Sequence, residues 1–179
     1  MALKPTIYKA RIALSDLERN LYDTLNLTVA LHPSETVERM VARLLAFCLN
    51  AQEGLTFTKG LSEIDEPDIW IRTMDETTSL WIDVGEPDVE RAKKAVRRAK
   101  RAKIYSFNTK SGTWWDQNKG KFGLHNLDVT RFSPSSVAAL AEMVERTLDW
   151  SVTVTGQTAF VATPRGEVEV DWEELQSAC

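Results

Sequence analysis

The sequence predicts an α/β fold with α+β elements, in which helices flank a mixed central β-sheet and additional antiparallel strands lie at both termini. Three observations predict this class of fold. Segments with helical periodicity alternate with short apolar runs typical of strands, residues 80–107 have the pattern of strand, helix and strand, and strand-like segments cluster in residues 4–31 and 150–171. The chain has 179 residues, 43% of them hydrophobic, so it can bury a sizeable core, and we predict a single domain over residues 1–179.

The first part of the chain predicts two strands and a helix. Residues 4–14 and 23–31 are rich in Thr, Ile, Leu, Val and Tyr with partial alternation, and the polar residues 15–20 predict a loop between them. We therefore expect an N-terminal antiparallel strand pair within residues 4–31. Ser34 is a suitable N-cap, and apolar residues recur after it at helical spacing, which predicts a helix from about residue 35 to residue 50.

The middle of the chain predicts a sheet with a crossover helix. Three short strands are predicted, at residues 55–59, 69–71 and 80–84. After residue 87 we expect a helix of about 15 residues with a narrow apolar stripe that includes Ala99 and Ala102. Residues 104–107 return to strand character, so the two strands that flank the helix should be parallel, either adjacent or with another strand between them.

The last part of the chain predicts a helix and further strands within residues 124–171. Residues 110–121 before it have the pattern of a short helix or an ordered loop. A strand is expected at residues 124–132, and Pro134 then occupies the first position of a helix that runs to about residue 148. An antiparallel meander is predicted from three strands, at residues 150–155, 158–163 and 167–171.

Composition and isolated residue types exclude several classes of protein. The longest apolar runs contain only a few residues, against the roughly 20 needed to span a bilayer, and the N-terminus lacks a signal-peptide apolar region, so we expect a cytoplasmic protein with no membrane partner. A net charge of −4 argues against a protein that coats nucleic acid nonspecifically. Cys48 and Cys179 lack the spacing of a metal site or disulfide framework, and the isolated His32 and His125 disfavour a zinc site.

Acidic side chains form the first candidate site. Asp68 begins one strand and Asp83 lies near the end of the next, so both carboxylates can meet at one end of the sheet, and the preceding helix can add Glu38 or Glu35. Oxygen ligands of this kind suit Mg²⁺. The alternatives are that Asp68 is a turn residue and that the glutamates compensate a helix dipole at the surface. A buried Asp83 requires either a functional partner or a structural ion pair with Arg or Lys of the next helix.

A run of basic residues is the second candidate site. Residues 91–103 contain eight Lys and Arg residues and no acid. Such a run can neutralise phosphates, whereas the alternative is a solvated amphipathic helix. An ordinary surface helix mixes charges of both signs, so we predict nucleic-acid contacts from four members of the run, namely Lys93, Arg97, Arg98 and Arg101.

The third candidate site follows the crossover unit, in residues 106–115. Asn108 and Lys110 supply donors suited to phosphate, and Trp114 and Trp115 either stack on bases or belong to the core. The sequence contains no glycine-rich phosphate loop, no Ser-His-Asp order and no dinucleotide fingerprint. A kinase, a serine hydrolase and a dehydrogenase therefore have no support.

Five blocks of sequence, in order along the chain, resemble the bacterial YaeQ family. The blocks read MALKPTIYKARI, LHPSETVERMVARLLAF, DEPDIW, LWIDVGEPD and KIYSFNTKSGTWW. The resemblance covers essentially the whole chain, and the YaeQ family is similar to the PD-(D/E)xK nuclease superfamily. It therefore implies a restriction-endonuclease-like fold with a nuclease-like core at about residues 34–108.

The resemblance also implies a set of site residues. Pro67-Asp68 supplies the PD pair, and Asp83-Val84-Gly85 stands where (D/E)xK is expected, with glycine in place of the lysine that positions water and stabilises charge in such nucleases. It implies that Asp68 and Asp83 hold Mg²⁺ or Mn²⁺ and that Glu38 completes the acidic set. Lys94, from the following helix, would replace the missing lysine.

These observations lead to a hypothesis and two rivals. The hypothesis is metal-dependent phosphodiester hydrolysis on nucleic acid, through a PD-(D/E)xK-like site with a displaced lysine. The first rival is a noncatalytic nucleic-acid-binding or regulatory protein that retains the fold with a degenerate site. The second is a protein-binding module whose basic helix meets an acidic partner. The sequence leaves open the oligomeric state, the choice of DNA or RNA, and its strandedness.

Overall fold

The chain folds into α-helices and β-strands, with strands predominating. A computed structural model describes residues 4–58, 65–123 and 126–178, and within these ranges there are ten strands and four α-helices. Across the same ranges, no helix is long and apolar enough to cross a membrane. The strands are β1 (Thr6–Asp16), β2 (Leu21–Leu31), β3 (Leu55–Phe57), β4 (Ile69–Arg72), β5 (Thr78–Val84), β6 (Ala99–Ser106), β7 (Leu127–Phe132), β8 (Thr147–Thr155), β9 (Thr158–Thr163) and β10 (Gly166–Gln176). The helices are α1 (Val37–Asn50), α2 (Val89–Arg98), α3 (Ser111–Asn118) and α4 (Pro134–Ala141), and a 3-10 turn covers Lys119–Lys121.

The chain divides into two compact units. Unit 1 contains the described residues of Met1–Leu49 and Ser133–Trp172, and unit 2 contains those of Asn50–Phe132 and Glu173–Cys179. Helix α1 therefore belongs to unit 1 apart from its last residue, and β10 is divided after Trp172. Whether the chain folds as one domain stays a prediction.

Unit 1 is built on a sheet with the strand order β2-β1-β8-β9-β10. The predicted antiparallel pair of β1 and β2 is confirmed, and Asn20 turns the chain between them with φ 53°, a conformation that asparagine tolerates better than most residues. Strands β8, β9 and β10 form the predicted antiparallel meander, and β8 also pairs in parallel with β1. Alternate residues of β1 and β8, such as Ile12 and Trp150, are buried, as expected for a sheet with one covered face.

Unit 2 is built on a sheet with the order β7-β6-β5-β4-β3. Strands β3, β4 and β5 are antiparallel neighbours, whereas β5, β6 and β7 run parallel. Helix α2 connects β5 to β6, which confirms the predicted crossover and shows that its two strands are adjacent. The small residues Ala92 and Ala95 bring α2 close to the sheet, where they pack with Trp81, Ile104 and Phe122.

Helix α2 is shorter than the sequence predicted. It covers only the ten residues Val89–Arg98, and Ala99 is extended with φ −128° and ψ 153°. The side-chain amide of Asn126 donates to the carbonyls of Val96 at 3.2 Å and Ala99 at 3.3 Å, which satisfies acceptors at the end of the helix. Ala99 pairs with Thr78 and so joins β6. The basic run is consequently divided between a helix and a strand.

Helix α4 is also shorter than predicted. It ends at Ala141 rather than near residue 148, and β8 begins at Thr147. Leu148, expected on the helix, is buried in the strand together with Trp150 and Val152, because burial at every second residue satisfies a sheet better than helical spacing. The predicted strand at residues 124–132 is described only from Leu127, since residues 124 and 125 lie outside the described ranges, as does Lys59 of the predicted strand at residues 55–59.

Candidate carboxylate site and basic surface

Asp68 and Asp83 lie together at one end of the sheet of unit 2. Asp68 directly precedes β4, and Asp83 is the second-last residue of β5. The Asp68 amide donates to the carbonyl of Ile82 at 3.0 Å, and the amide of Val84 donates to Asp68 Oδ2 at 2.8 Å. Both aspartates are buried, with 5% and 4% of their surface exposed. The predicted proximity of the two residues follows from the antiparallel pairing of β4 and β5.

Arg91 on α2 pairs with the Asp83 carboxylate through two hydrogen bonds. Its Nε donates to Oδ2 at 3.1 Å and its Nη2 donates to Oδ1 at 3.0 Å, while the Trp81 indole also donates to Oδ2 at 3.1 Å. The Arg91 guanidinium lies 5.7 Å from the centre of the Trp81 ring. A bidentate pair of this kind is among the stronger charge-assisted contacts in proteins. The ion pair to the next helix, one of the two interpretations of Asp83, is present in the structure.

Burial is the main influence on the protonation of Asp83. It raises the pKa of the Asp83 carboxyl, whereas Arg91 opposes this shift through its hydrogen bonds and its charge. The neighbouring Asp68 carboxylate also raises this pKa, and the Trp81 indole lowers it. The electrostatic balance at Asp83 therefore depends on Arg91 staying in place.

The carboxylates do not fit a divalent cation in this arrangement. Mg²⁺ requires oxygen lone pairs in near-octahedral geometry, yet both Asp83 oxygens accept hydrogen bonds from Arg91. Nowhere in residues 4–58, 65–123 and 126–178 do three or more Asp, Glu, His or Cys side chains form a group that could hold a metal. Glu38, predicted to complete the acidic set, lies in the first turn of α1, in unit 1. No catalytic step through a metal follows from this geometry.

Glu35 is buried rather than exposed at the surface. Its side chain is 2% exposed and pairs with Arg39 at 2.5 Å and with Arg43 at 2.7 Å. The His32 amide also donates to Glu35 Oε1 at 3.3 Å. The interpretation of Glu35 as a surface acid is therefore wrong, because two arginines one and two turns along the chain compensate its charge.

The prediction of a displaced lysine concerns Gly85, at the expected lysine position, and Lys94, its predicted replacement. Gly85 has φ +122°, a conformation that L side chains rarely adopt, although a Cβ added there would meet no atom within 4 Å. The backbone, rather than lack of space, disfavours a side chain at this position. Lys94 donates to Asp65, and this hydrogen bond is the main cause that lowers the pKa of the Asp65 carboxyl. Lys94 is thus engaged with Asp65, which the sequence did not single out.

One face of α2 binds the segment that leads to Asp68. Arg91 Nη2 donates to the carbonyl of Glu66 at 2.8 Å, and Arg98 Nη1 donates to the carbonyl of Asp65 at 3.4 Å. Together with Lys94, these residues have the spacing i, i+3 and i+7, which places them on one side of a helix. This spacing, together with the acidic residues 65 and 66, is the sequence signal that would have separated these three cations from the exposed ones.

A second face of the basic run is exposed to solvent. Lys93 and Arg97 lie one turn apart on α2, and Lys100 follows at the start of β6. Arg97 and Lys100 form no ion pair with any residue of the described ranges, and Lys93 approaches only the exposed Glu90, at 3.8 Å. Arg101 instead forms a bidentate pair with Asp128, at 2.9 Å and 3.1 Å. All four predicted phosphate contacts of this run are exposed, but Arg98 and Arg101 already contact other residues of unit 2, which leaves Lys93, Arg97 and the additional Lys100.

The segment at residues 106–115 is largely engaged in packing. Asn108 donates to Glu86 through its side chain, and the Phe107 amide donates to Glu86 Oε2 at 3.1 Å. The Trp114 indole donates to the Pro87 carbonyl at 2.9 Å, and the Trp115 and Phe122 rings stack at 5.9 Å. Both tryptophans are half-buried and pack against the core of unit 2, and base stacking by either stays a prediction. Lys110, at the N-terminus of α3, is exposed.

The fold and the site define a protein of mixed α and β structure, with a pair of buried carboxylates that an arginine neutralises. Residues 1–172 match the family model described as YaeQ protein. The chain is 38% identical to the uncharacterized protein YaeQ of Salmonella typhi and 37% identical to that of Escherichia coli (strain K12), over 97% of this chain and 99% of each relative. This protein belongs to the YaeQ family.

Two solved structures agree with this assignment. The crystal structure of YaeQ protein from Xanthomonas axonopodis pv. citri has a TM-score of 0.93 and 34% sequence identity, over 97% of this chain and 99% of that one. The crystal structure of YaeQ protein from Pseudomonas syringae has a TM-score of 0.92 and 34% identity, over 97% of both chains. The family resemblance found in the sequence is therefore confirmed over nearly the whole chain.

Proposed function

We propose that this protein is a noncatalytic nucleic-acid-binding or regulatory protein of the cytoplasm. In this proposal it retains a restriction-endonuclease-like fold of the PD-(D/E)xK superfamily with a degenerate site. The observation that carries the proposal is the set of exposed cations Lys93, Arg97 and Lys100, in the same unit as a carboxylate pair that Arg91 already neutralises.

Two features support the loss of catalysis. Arg91 binds both carboxylate oxygens of Asp83, and a PD-(D/E)xK enzyme would use these oxygens as metal ligands. Gly85 stands at the lysine position in a conformation that favours glycine, and Lys94 is engaged with Asp65. The carboxylate oxygens that would bind a metal ion, and the lysine that would stabilise the charge of a phosphodiester transition state, are therefore already engaged in contacts within the protein.

The exposed basic surface supports phosphate binding. Each Lys or Arg that contacts duplex phosphate releases counterions, so the logarithm of the binding constant falls with the logarithm of salt concentration by roughly 0.9 per contact. Three contacts from Lys93, Arg97 and Lys100 predict a slope of about −3. Because these contacts involve phosphate and no base edge, the binding should show little sequence preference.

Fluorescence anisotropy tests the proposal by measuring the binding constant at a series of salt concentrations without metal. The labelled oligonucleotides are single-stranded and duplex, in DNA and RNA forms. The triple variant Lys93→Gln, Arg97→Gln, Lys100→Gln should bind at least tenfold more weakly, with a salt slope near zero. The matched control removes three exposed cations of unit 1, in the variant Lys4→Gln, Lys9→Gln, Arg11→Gln. Equal loss in both variants would refute the assigned surface, and no binding by the wild type at low salt would favour an acidic protein partner.

Metal-dependent phosphodiester hydrolysis with Mg²⁺ or Mn²⁺ is the second candidate. It is favoured by the meeting of Asp68 and Asp83 at one end of the sheet, and it requires Arg91 to leave Asp83. Supercoiled plasmid and single-stranded substrates, incubated with and without Mn²⁺, distinguish the two candidates. Cleavage by the wild type that Asp83→Asn abolishes would establish the nuclease and overturn the noncatalytic proposal.

A further inference from the structure

We propose that Arg91 is a built-in cation that closes a latent divalent-cation site formed by Asp68 and Asp83. The observation is the juxtaposition of two buried aspartates at one end of the sheet with one guanidinium bound to both oxygens of Asp83. The chain itself supplies the positive charge that a metal ion would otherwise supply.

The contacts of Arg91 satisfy the same lone pairs that a metal would use. A divalent cation binds carboxylate oxygens directly, whereas Arg91 directs one N–H at each of the two Asp83 oxygens, at 3.1 Å and 3.0 Å. The Trp81 indole adds a third donor at 3.1 Å, on Oδ2. A metal ion at Asp83 would therefore have to displace a bidentate cation and meet an indole N–H that is not a ligand.

Arg91 is fixed by its surroundings and does not simply extend from the helix. The Asp88 carboxylate caps α2 by accepting from the Arg91 amide at 2.8 Å, which places the residue in the first turn of the helix. Its Nη2 also donates to the Glu66 carbonyl at 2.8 Å. One arginine thus connects α2, β5 and the segment before Asp68, and movement of its guanidinium would break the contacts with Asp83 and with the Glu66 carbonyl.

The carboxylate of Asp68 remains beside this pair. Its Oδ2 accepts from the Val84 amide at 2.8 Å, so the carboxylate is held next to the residue that follows Asp83. Removal of the Arg91 charge leaves the buried Asp83 carboxylate without its guanidinium and next to the carboxylate of Asp68, and two like charges in a buried site favour a cation. Mn²⁺ can meet this requirement through oxygen ligands and retained waters.

Direct Mn²⁺ binding to the full-length protein tests the inference, measured by the loss of the free Mn²⁺ signal in electron paramagnetic resonance and by calorimetry. The wild type should bind no Mn²⁺ in a manner that depends on Asp83. Arg91→Gln should bind about one Mn²⁺ in a manner that depends on Asp83, at least tenfold more tightly than any residual binding by the wild type, and Mn²⁺ should raise its unfolding temperature. The double variant Asp83→Asn, Arg91→Gln should lose the gain, and Arg91→Lys, which keeps a positive charge, should not show it.

Arg101→Gln is the matched control, because Arg101 also makes a bidentate pair with an aspartate, Asp128. It should gain no Mn²⁺ affinity, since it leaves a single carboxylate outside the Asp68 and Asp83 pair. Folded Arg91→Gln with no gain would overturn the inference. If that variant does not fold, the wild type decides: stoichiometric Mn²⁺ binding that Asp83→Asn removes contradicts the inference, and its absence supports it. The nucleic-acid proposal rests on other residues, so the two succeed or fail separately.

Discussion

A lysine at Gly85, where the proposed (D/E)xK motif would have one, should destabilise the protein without creating a nuclease. Gly85 has φ +122°, and the region of positive φ beyond the left-handed helix is essentially restricted to glycine, with a cost of about 1–3 kcal/mol for other residues. No clash adds to this cost, because a Cβ at Gly85 would meet no atom within 4 Å. Catalysis should still be absent, since Arg91 continues to occupy the oxygens of Asp83.

The comparison variant is Gly120→Lys, in the 3-10 turn Lys119–Lys121. A Cβ at Gly120 also meets no atom within 4 Å, and Gly120 does not have a positive φ of the kind found at Gly85. Both variants lose the same glycine freedom in the unfolded chain, so their difference isolates the backbone cost at Gly85. For a chain of this size about 1 kcal/mol corresponds to roughly 2–4 °C in unfolding temperature. The measurement is urea and thermal unfolding followed by circular dichroism, and equal stability of the two variants would refute the reasoning.

Three further predictions concern the ion pair, a hairpin turn and a thiol. Arg91→Ala should lower the free energy of unfolding by about 2–4 kcal/mol, somewhat less than is usual for a broken buried pair, because the Arg91 side chain is 28% exposed. A double-mutant cycle with Asp83→Asn should give a coupling energy of about 0.5–3 kcal/mol, and simple additivity would contradict a direct pair. Hydrogen bonds from neighbouring threonines lower the pKa of Asp75 to about 2, so its contribution to stability is present above the ordinary pKa near 4 and is lost as pH falls towards 2. Asp75→Asn should remove this part of the loss of unfolding free energy at acid pH, and an unchanged pH dependence below about 4 would argue against it. Burial raises the pKa of the Cys48 thiol to about 12, so in a Cys179→Ser background Cys48 should react with a thiol reagent only on unfolding, and rapid labelling of the folded protein would contradict its burial.

Local patterns predicted most of the elements but not all of their ends. Alternation of apolar residues identified β1, β2 and the β8–β10 meander, and the strand-helix-strand pattern identified the crossover of α2. The end of α2 was misjudged because Ala99 and Ala102 suit both a helical stripe and a buried strand face. Only the Asn126 contacts and the pairing of Ala99 with Thr78, which are distant in sequence, decide between them.

The candidate site was predictable in position but not in its charge balance. The antiparallel hairpin brings Asp68 and Asp83 together, and this follows from strand order alone. Which basic residue pairs with Asp83 depends on where helix α2 begins. Because α2 begins at Val89, Arg91 lies in its first turn and binds Asp83, whereas Lys94 lies one turn later and binds Asp65. This start of α2 depends on the Asp88 cap, and the sequence analysis did not use this capping residue.

The number of cations in the basic run is therefore a poor guide to its binding strength. If all eight Lys and Arg residues of 91–103 contacted duplex phosphate, the salt slope would be about −7. Arg91, Lys94 and Arg98 bind the chain at residues 65 and 66, Arg101 is paired with Asp128, and Lys103 donates to Asn50 at 2.6 Å, so five of the eight cations already have partners within unit 2. A slope of about −3 is expected instead, from the remaining three cations, Lys93, Arg97 and Lys100. A measured slope near −7 would mean that nucleic acid breaks the internal pairs, the pair of Arg91 with Asp83 among them. Binding of nucleic acid would then release the Asp83 carboxylate from its guanidinium.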